Sequence, residues 1–259
     1  LPLFESLFLG IVQGLTEFIP VSSSGHFVLI SSVLNLTEPS LAFNVALHFG
    51  TLLALLVYFR SDLIELLSLR KKSSRQLLVL IILATLPAAL IGYLFNQFFE
   101  ETFSQPIPAA FFLIVTAFLL WLAEKHYQPQ QTLTVMKWLD ALIIGLFQAL
   151  AIFPGISRSG ATISAGLFRK LGREDATRFA FLMGIPIIFG AFVFEVIEVQ
   201  FFTHNWPQTL IGLLSAFFSG YIAIGFLLKY VKERSLRPFA FYCLAVGVIF
   251  LLYGVVKIV

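Results

Sequence analysis

Charge is what this sequence has least of. Asp, Glu, Lys and Arg make up only 12% of its 259 residues, against about 25% in soluble domains. So few charges cannot cover a water-facing surface, which excludes an ordinary soluble globule and a disordered chain. There is one cysteine, Cys243, set inside an apolar run; it has no internal partner, which excludes a secreted disulfide scaffold. No H-E-x-x-H pattern or Asp-rich cluster is present, so metal binding is only weakly signalled. The first residues lack the basic stretch of a cleavable signal, and a start at Leu1 reads as a trimmed chain. What is abundant is hydrophobic: 59% of residues, thirty of them Phe. The chain reads as a polytopic membrane protein.

A bilayer core takes about 20 apolar residues per helix. Charge-free windows at Leu41–Phe59, Leu77–Asn96, Ile107–Ala123, Phe179–Phe194, Leu210–Leu228 and Phe239–Val256 give six spans. Two further apolar stretches, Leu3–Leu34 and Ala141–Phe168, are broken near their middles by Pro20-Val21-Ser22-Ser23-Ser24-Gly25 and Pro154-Gly155-Ile156-Ser157-Arg158-Ser159-Gly160. These read as re-entrant helix–loop–helix hairpins, since irregular backbone at membrane depth is tolerated only inside protein or beside a cavity. The expected fold is therefore all-α: six transmembrane helices plus two re-entrant hairpins, in a single membrane domain spanning 1–259.

Basic residues test this layout. Fifteen of the 17 lie in segments 60–75, 124–140, 169–178 and 229–237, and the connections at 97–106 and 198–208 contain none. Six spans and two hairpins put all four basic segments on the cytoplasmic side. Both termini then lie outside. The charge is a topology signal, and no nucleic-acid partner is implied.

Residues 5–25 laid over 140–160 give eight identities in 21 positions, among them Gln13/Gln148, Ser22/Ser157, Ser24/Ser159 and Gly25/Gly160. Each hairpin is followed by three spans. The hairpins enter from opposite sides, so the chain reads as an inverted-topology repeat, about 1–124 and about 137–259, whose tips meet near the midplane. The halves differ in chemistry: Glu17 stands opposite Ile152, His26 opposite Ala161, and Arg158 opposite Ser23.

Glu17 and Arg158 are charges deep within apolar stretches, where ionisable groups face a cavity or each other. Gln13 lies one helical turn from Glu17 and orients it or a ligand. Free N–H groups where the second half-helices begin attract anions, and a guanidinium binds phosphate in bidentate fashion. Ser22, Ser24, Gly25, Ser157, Ser159, Gly160 and Thr162 are thus candidates for holding substrate, with N-capping and tight turns as their structural alternative. Ser23 and His26 are candidate nucleophile and acid–base groups. His48 and Asn44 are weaker candidates for the same pocket. His126 and His204 read as solvated loop residues, and Glu195 and Glu198 as plain span-end residues.

The run from Gln13 to His26, QGLTEFIPVSSSGH, resembles the first signature of the undecaprenyl pyrophosphate phosphatases, the bacitracin-resistance family. Pro154-Gly155-Ile156-Ser157-Arg158-Ser159-Gly160-Ala161-Thr162 resembles the second, and Asp175–Pro186 is also similar to the family. The resemblance implies hydrolysis of undecaprenyl diphosphate to the monophosphate, recycling the lipid carrier of cell-wall synthesis. It also implies a multi-pass protein of the bacterial cytoplasmic membrane, an active site open to the outer face, and a divalent cation, Mg²⁺ or Ca²⁺. Glu17 matches the second acid of the family's (E/Q)xxxE element and becomes the metal-ligand candidate. Gln13 matches its variable first position; Ser23, His26 and Arg158 match the signature serine, histidine and arginine. Gln13 and Asn44 stand where many relatives carry acids, so two carboxylates are missing. Catalysis is expected from Glu17, Ser23, His26 and Arg158 on a polyprenyl diphosphate, in membrane lipid, with a homodimer as the expected assembly. The rival class is a transporter or flippase for an anionic or lipid-phosphate substrate.

Overall fold

The computed structural model describes residues 1–34, 40–103, 105–198 and 206–258; His204 lies outside them. The helices are α1 (Leu3–Phe18), α2 (Ser23–Leu34), α3 (Leu41–Tyr58), α4 (Arg60–Ser68), α5 (Lys72–Phe103), α6 (Pro106–Lys125), α7 (Trp138–Leu150), α8 (Arg158–Phe168), α9 (Arg173–Glu198), α10 (Trp206–Glu233) and α11 (Arg237–Ile258). Among the described residues the β-structure is confined to a bridge between Gln131 and Leu171.

Six helices, α3, α5, α6, α9, α10 and α11, are long and apolar enough to cross a membrane. The expected windows fall on these six helices. Their outer faces carry large apolar side chains in the open: Ile222 is 66% exposed, Leu90 61% and Phe218 60%. Lipid is the solvent that suits such a surface. The protein is all-α and crosses the membrane several times.

The broken stretches form two shorter helix–turn–helix pairs, α1–α2 and α7–α8, of 16, 12, 13 and 11 residues. At 1.5 Å rise per residue none reaches across a core of about 30 Å. Each pair docks on a span from the other half of the chain. α1 lies on α10, so close that a Cβ at Gly10 would collide with Ser215 and one at Gly14 with Ser219. Small residues on both faces let the two backbones touch, and the Ser219 hydroxyl, 3.4 Å away, donates to the Gly10 carbonyl. α7 meets α5 in the same manner, with Gly145 against the Ala84 backbone.

At one end of the bundle, ion pairs join the four basic segments, with the Glu124 and Asp140 carboxylates buried. Arg173 binds Glu124 through Nε (2.8 Å) and Nη2 (2.6 Å), and the Leu236 N–H donates to the same carboxylate at 2.8 Å. Arg169 pairs with Asp140 at 2.7 Å, Lys232 with Glu174 at 3.0 Å, and Arg178 with Asp62. Within the basic segment 60–75, α4 forms: Leu66 turns into the core while Ile64 and Leu67 face outward. Nine residues are too few to span, so α4 lies at this end as a short amphipathic helix.

Candidate active site

The two turns that interrupt the short helix pairs are built alike. Ser22 accepts a hydrogen bond on Oγ from the Gly25 N–H (3.2 Å), and Ser157 accepts one from the Gly160 N–H (3.0 Å). The side-chain oxygen of a residue just before a helix satisfies an N–H that has no intrahelical partner. Ser22 and Ser157 thus cap α2 and α8, which leaves Ser23 and Arg158 as the first residues of those helices. The reversals themselves differ: Ser22 takes a left-handed conformation (φ 68°), whereas in the second turn Gly155 does so (φ 102°). Only glycine fits at 155, because a Cβ would strike the Ala109 carbonyl. Thr116 of α6 pins this turn, donating to the Gly155 carbonyl (3.0 Å) and accepting from the Ser157 N–H (2.9 Å). The turns touch: the Ser159 hydroxyl donates to the Ile19 carbonyl at 3.4 Å, and Gly25 lies against Gly155.

Glu17, one residue before the end of α1, ties the turns together. Its Oε1 accepts from Arg158 Nη2 at 2.8 Å. Its Oε2 accepts from the Ser23 hydroxyl at 2.7 Å and from Gln13 Nε2 at 3.1 Å. Gln13 Nε2 is also 3.2 Å from His48 Nδ1. The amide oxygen cannot face a carboxylate, so Gln13 directs its N–H groups to both neighbours; His48 Nδ1 then accepts, and its proton sits on Nε2. Glu17 is 9% exposed. In such a low-dielectric setting a carboxylate with three donors is firmly held.

A cavity of about 420 Å³ opens beside this cluster. Glu17, Ser22, Ser23, Ser24, Ser157 and Arg158 form its polar wall, and His48 joins them. The opposite wall is apolar, running between α5 (Ala88, Gly92) and α9 (Ile187, Ile188, Ala191, Phe192). It begins one residue past Pro87 in α5 and Pro186 in α9. Glu195, expected as a plain span-end residue, also lines the cavity. The side chain of Glu198 lies outside the described residues.

Other expected site residues stand behind the wall. His26 is turned away from the cavity: its Nδ1 donates to the Ser22 carbonyl (2.8 Å) and its Nε2 accepts from the Tyr242 hydroxyl of α11 (2.7 Å). Gln13, Gly25, Ser159, Gly160 and Thr162 are buried and do not line the cavity. Thr162 instead donates to the Arg158 carbonyl at 2.8 Å. Asn44 is also absent from the wall, although His48, one turn along α3, is in it. His126 is exposed at the end of α6.

Gly184 of α9 was not singled out as a site residue. A Cβ there would occupy the position of Arg158 Nη1, so the glycine makes the room in which the guanidinium reaches Glu17. Its only sequence signal is its place within Asp175–Pro186.

The donor set does not fit a resident divalent cation. Both Glu17 oxygens are engaged, one by a guanidinium, and Gln13 presents N–H groups where a cation needs oxygen. Among the described residues no three His, Cys, Asp or Glu side chains cluster as a metal site.

Fold and site together define a class: a multi-pass α-helical membrane protein with a buried carboxylate, hydroxyl and guanidinium at the wall of a half-apolar cavity. Residues 6–249 match the family described as "Bacitracin resistance protein BacA", and the chain belongs to that family. It is 41% identical over 253 residues to a protein of Halothermothrix orenii named undecaprenyl-diphosphatase, covering 96% of this chain and 97% of the relative. Undecaprenyl-diphosphatase 3 of Bacillus cereus is 42% identical over 251 residues, with 96% of each chain covered. An undecaprenyl-diphosphatase of Geotalea daltonii is 42% identical over 264 residues, covering 97% of this chain and 98% of the relative.

Proposed function

We propose that this protein hydrolyses undecaprenyl diphosphate to undecaprenyl phosphate and inorganic phosphate in the bacterial cytoplasmic membrane. The observation that carries the reading is Glu17, bonded to both Ser23 and Arg158 at the cavity wall, in a chain whose relatives bear that activity in their names.

Ser23 Oγ attacks the terminal phosphorus while its proton passes to Glu17 Oε2. The bond from that phosphorus to the bridging oxygen breaks, and undecaprenyl phosphate leaves as an anion. Water then attacks the phosphoserine phosphorus and gives a proton to solvent as the bond from phosphorus to Ser23 Oγ breaks; Ser23 regains its proton from Glu17 and inorganic phosphate departs. Arg158 and the N–H groups at the starts of α2 and α8, beside Ser22, Ser24 and Ser157, hold the diphosphate and stabilise the charge that develops on it. Gln13 orients Glu17. Engagement of both His26 nitrogens away from the cavity favours Ser23 as the attacking group. His26 then serves as a positioning residue that fixes Ser22, with Gly25, Ser159, Gly160 and Thr162 shaping the two turns. The apolar wall between α5 and α9 suits the first isoprene units, with the rest of the tail in lipid.

In this reading α1–α2 and α7–α8 are re-entrant hairpins of an inverted repeat, 1–124 and 137–259. The end rich in Arg and Lys faces the cytoplasm, the cavity opens to the outer face, and two chains associate as a homodimer. Because Glu17 already accepts three hydrogen bonds, one from a guanidinium, a Mg²⁺ or Ca²⁺ ion would enter bound to the diphosphate.

The test is phosphate release from undecaprenyl diphosphate by purified protein in detergent, with and without chelator, beside R158A and E17A. Release that requires both residues is expected. No release from folded wild-type protein would overturn the assignment, and loss on chelation would establish the cation requirement.

A further inference from the structure

In the wall of the cavity lies a glutamine that the reaction as described does not use. Gln148 of α7 is 2% exposed, and neither its Oε1 nor its Nε2 has a hydrogen-bond partner among the described residues. An amide buried in this way is destabilising unless something binds it. Its counterpart in the first half of the chain explains why it lacks a partner. Gln13 occupies the aligned position on α1, and its amide nitrogen bonds both Glu17 and His48. One turn beyond Gln148 the residue aligned with Glu17 is Ile152, which also lines the cavity. The same glutamine is therefore satisfied internally in one half and orphaned in the other, on the same cavity as Arg158 and Ser23.

We propose that Gln148 is a substrate-binding residue whose amide N–H groups bond the phosphate oxygens of the diphosphate head. This rests on the phosphatase reading and deepens it. The side chain forms part of the cavity wall with its amide closed off from solvent, and binding requires its broad terminal torsion to turn the N–H groups toward the cavity. Arg158 spends one nitrogen on Glu17, so a neutral donor across the turn completes the cradle without adding a charge that would compete for the carboxylate. Leucine has nearly the same shape and no polar atoms, so Q148L removes the ligand contact and the unpaired amide together.

The experiment uses the full-length protein in detergent. Wild type, Q148L and Q148E are compared for KM and kcat on undecaprenyl diphosphate, and for melting temperature with and without inorganic pyrophosphate. Q148L is expected to melt at or above the wild-type temperature without ligand, to raise KM by about tenfold or more, and to lose most of the pyrophosphate-induced shift. Q148E, which places a carboxylate near the phosphates, is expected to raise KM further. Unchanged KM and an unchanged pyrophosphate shift in Q148L would overturn the proposal. So would a lower melting point with KM intact, which would make the amide structural. Should Q148L not fold, unchanged KM in Q148E overturns it equally. An inactive wild type would fail the phosphatase reading itself, a result distinct from an active enzyme indifferent to residue 148.

Discussion

Ser23 and Arg158 are the first residues of two different helices, and they bond opposite oxygens of a single carboxylate. The serines just before them, Ser22 and Ser157, close the same Oγ to N–H capping bond at each helix start, although only Ser22 is left-handed. Nearly the same local structure thus delivers a hydroxyl from one side of Glu17 and a guanidinium from the other. The hydroxyl already directs its proton at a base, and the cation stands where an anion would come to lie.

Replacing Arg158 separates binding from charge. R158A is expected to lower kcat by roughly 10²–10³-fold, the usual cost of losing one donor to a developing oxyanion. R158K keeps the charge but loses the planar fork and should recover only a small part. Phosphate release at saturating substrate, with melting curves to show that both variants fold, decides it.

Ser23 and Glu17 should part company in stability. S23A removes a half-buried hydroxyl and is expected to be inactive yet to melt within a few degrees of wild type. E17Q leaves the Arg158 charge without its partner and should cost about 3–5 kcal/mol as well as activity. Quenched reactions of wild type should show a phosphate-sized mass increase on the peptide containing Ser23; its repeated absence, with S23A still active, would exclude serine as the attacking group.

Gly184 offers a test that leaves the Glu17, Ser23 and Arg158 side chains themselves unaltered. G184A pushes on Arg158 Nη1 and should reproduce much of the R158A defect. G190A, on the same helix with open space at its Cβ, should be neutral in activity and slightly stabilising. Equal activity of G184A and wild type would show that the guanidinium does not need its present position.

Tyr242 reports on His26. Y242F removes one hydrogen bond, worth about 1 kcal/mol, and is expected to lower kcat a few-fold with KM unchanged. H26A should do more, because the Ser22 carbonyl loses its imidazole donor and keeps only the His26 backbone N–H. A larger effect of Y242F on KM than on kcat would contradict a positioning role.

The pair at the other end of the bundle should behave oppositely. E124A strands Arg173 and the Leu236 N–H and is expected to cost about 3–5 kcal/mol of stability. Below its melting temperature, its kcat and KM should match the wild type.

Sequence reading reached far into this fold because lipid imposes a simple rule. Long charge-free runs became the six long helices, and the Pro-Ser-Gly interruptions became the two turns. Glu17 and Arg158 stood out because charges in apolar runs are expensive, and the structure joins them. What sequence could not supply was direction. His26 sits one turn from Ser23, yet Tyr242, far along the chain, draws it out of the cavity. His48 and Asn44 share a helix face by spacing, but Gln13 reaches only His48. Gly184 matters through one atom of Arg158, which no local pattern encodes. Gln148 was visible as the match to Gln13, but its missing partner became apparent only when the surroundings of both were known.

The seam between α1 and α10 also sets an order of events during synthesis. α1 is made well before α10, which supplies the surface it fits, with Gly212, Ser215 and Ser219 meeting Gly10 and Gly14. Contacts this distant in sequence form late. Glu17 therefore gains its Arg158 partner only once α8 is in place, and the helix that carries it gains its seam only with α10. The packing of the first signature is thus completed only when α10 closes on α1.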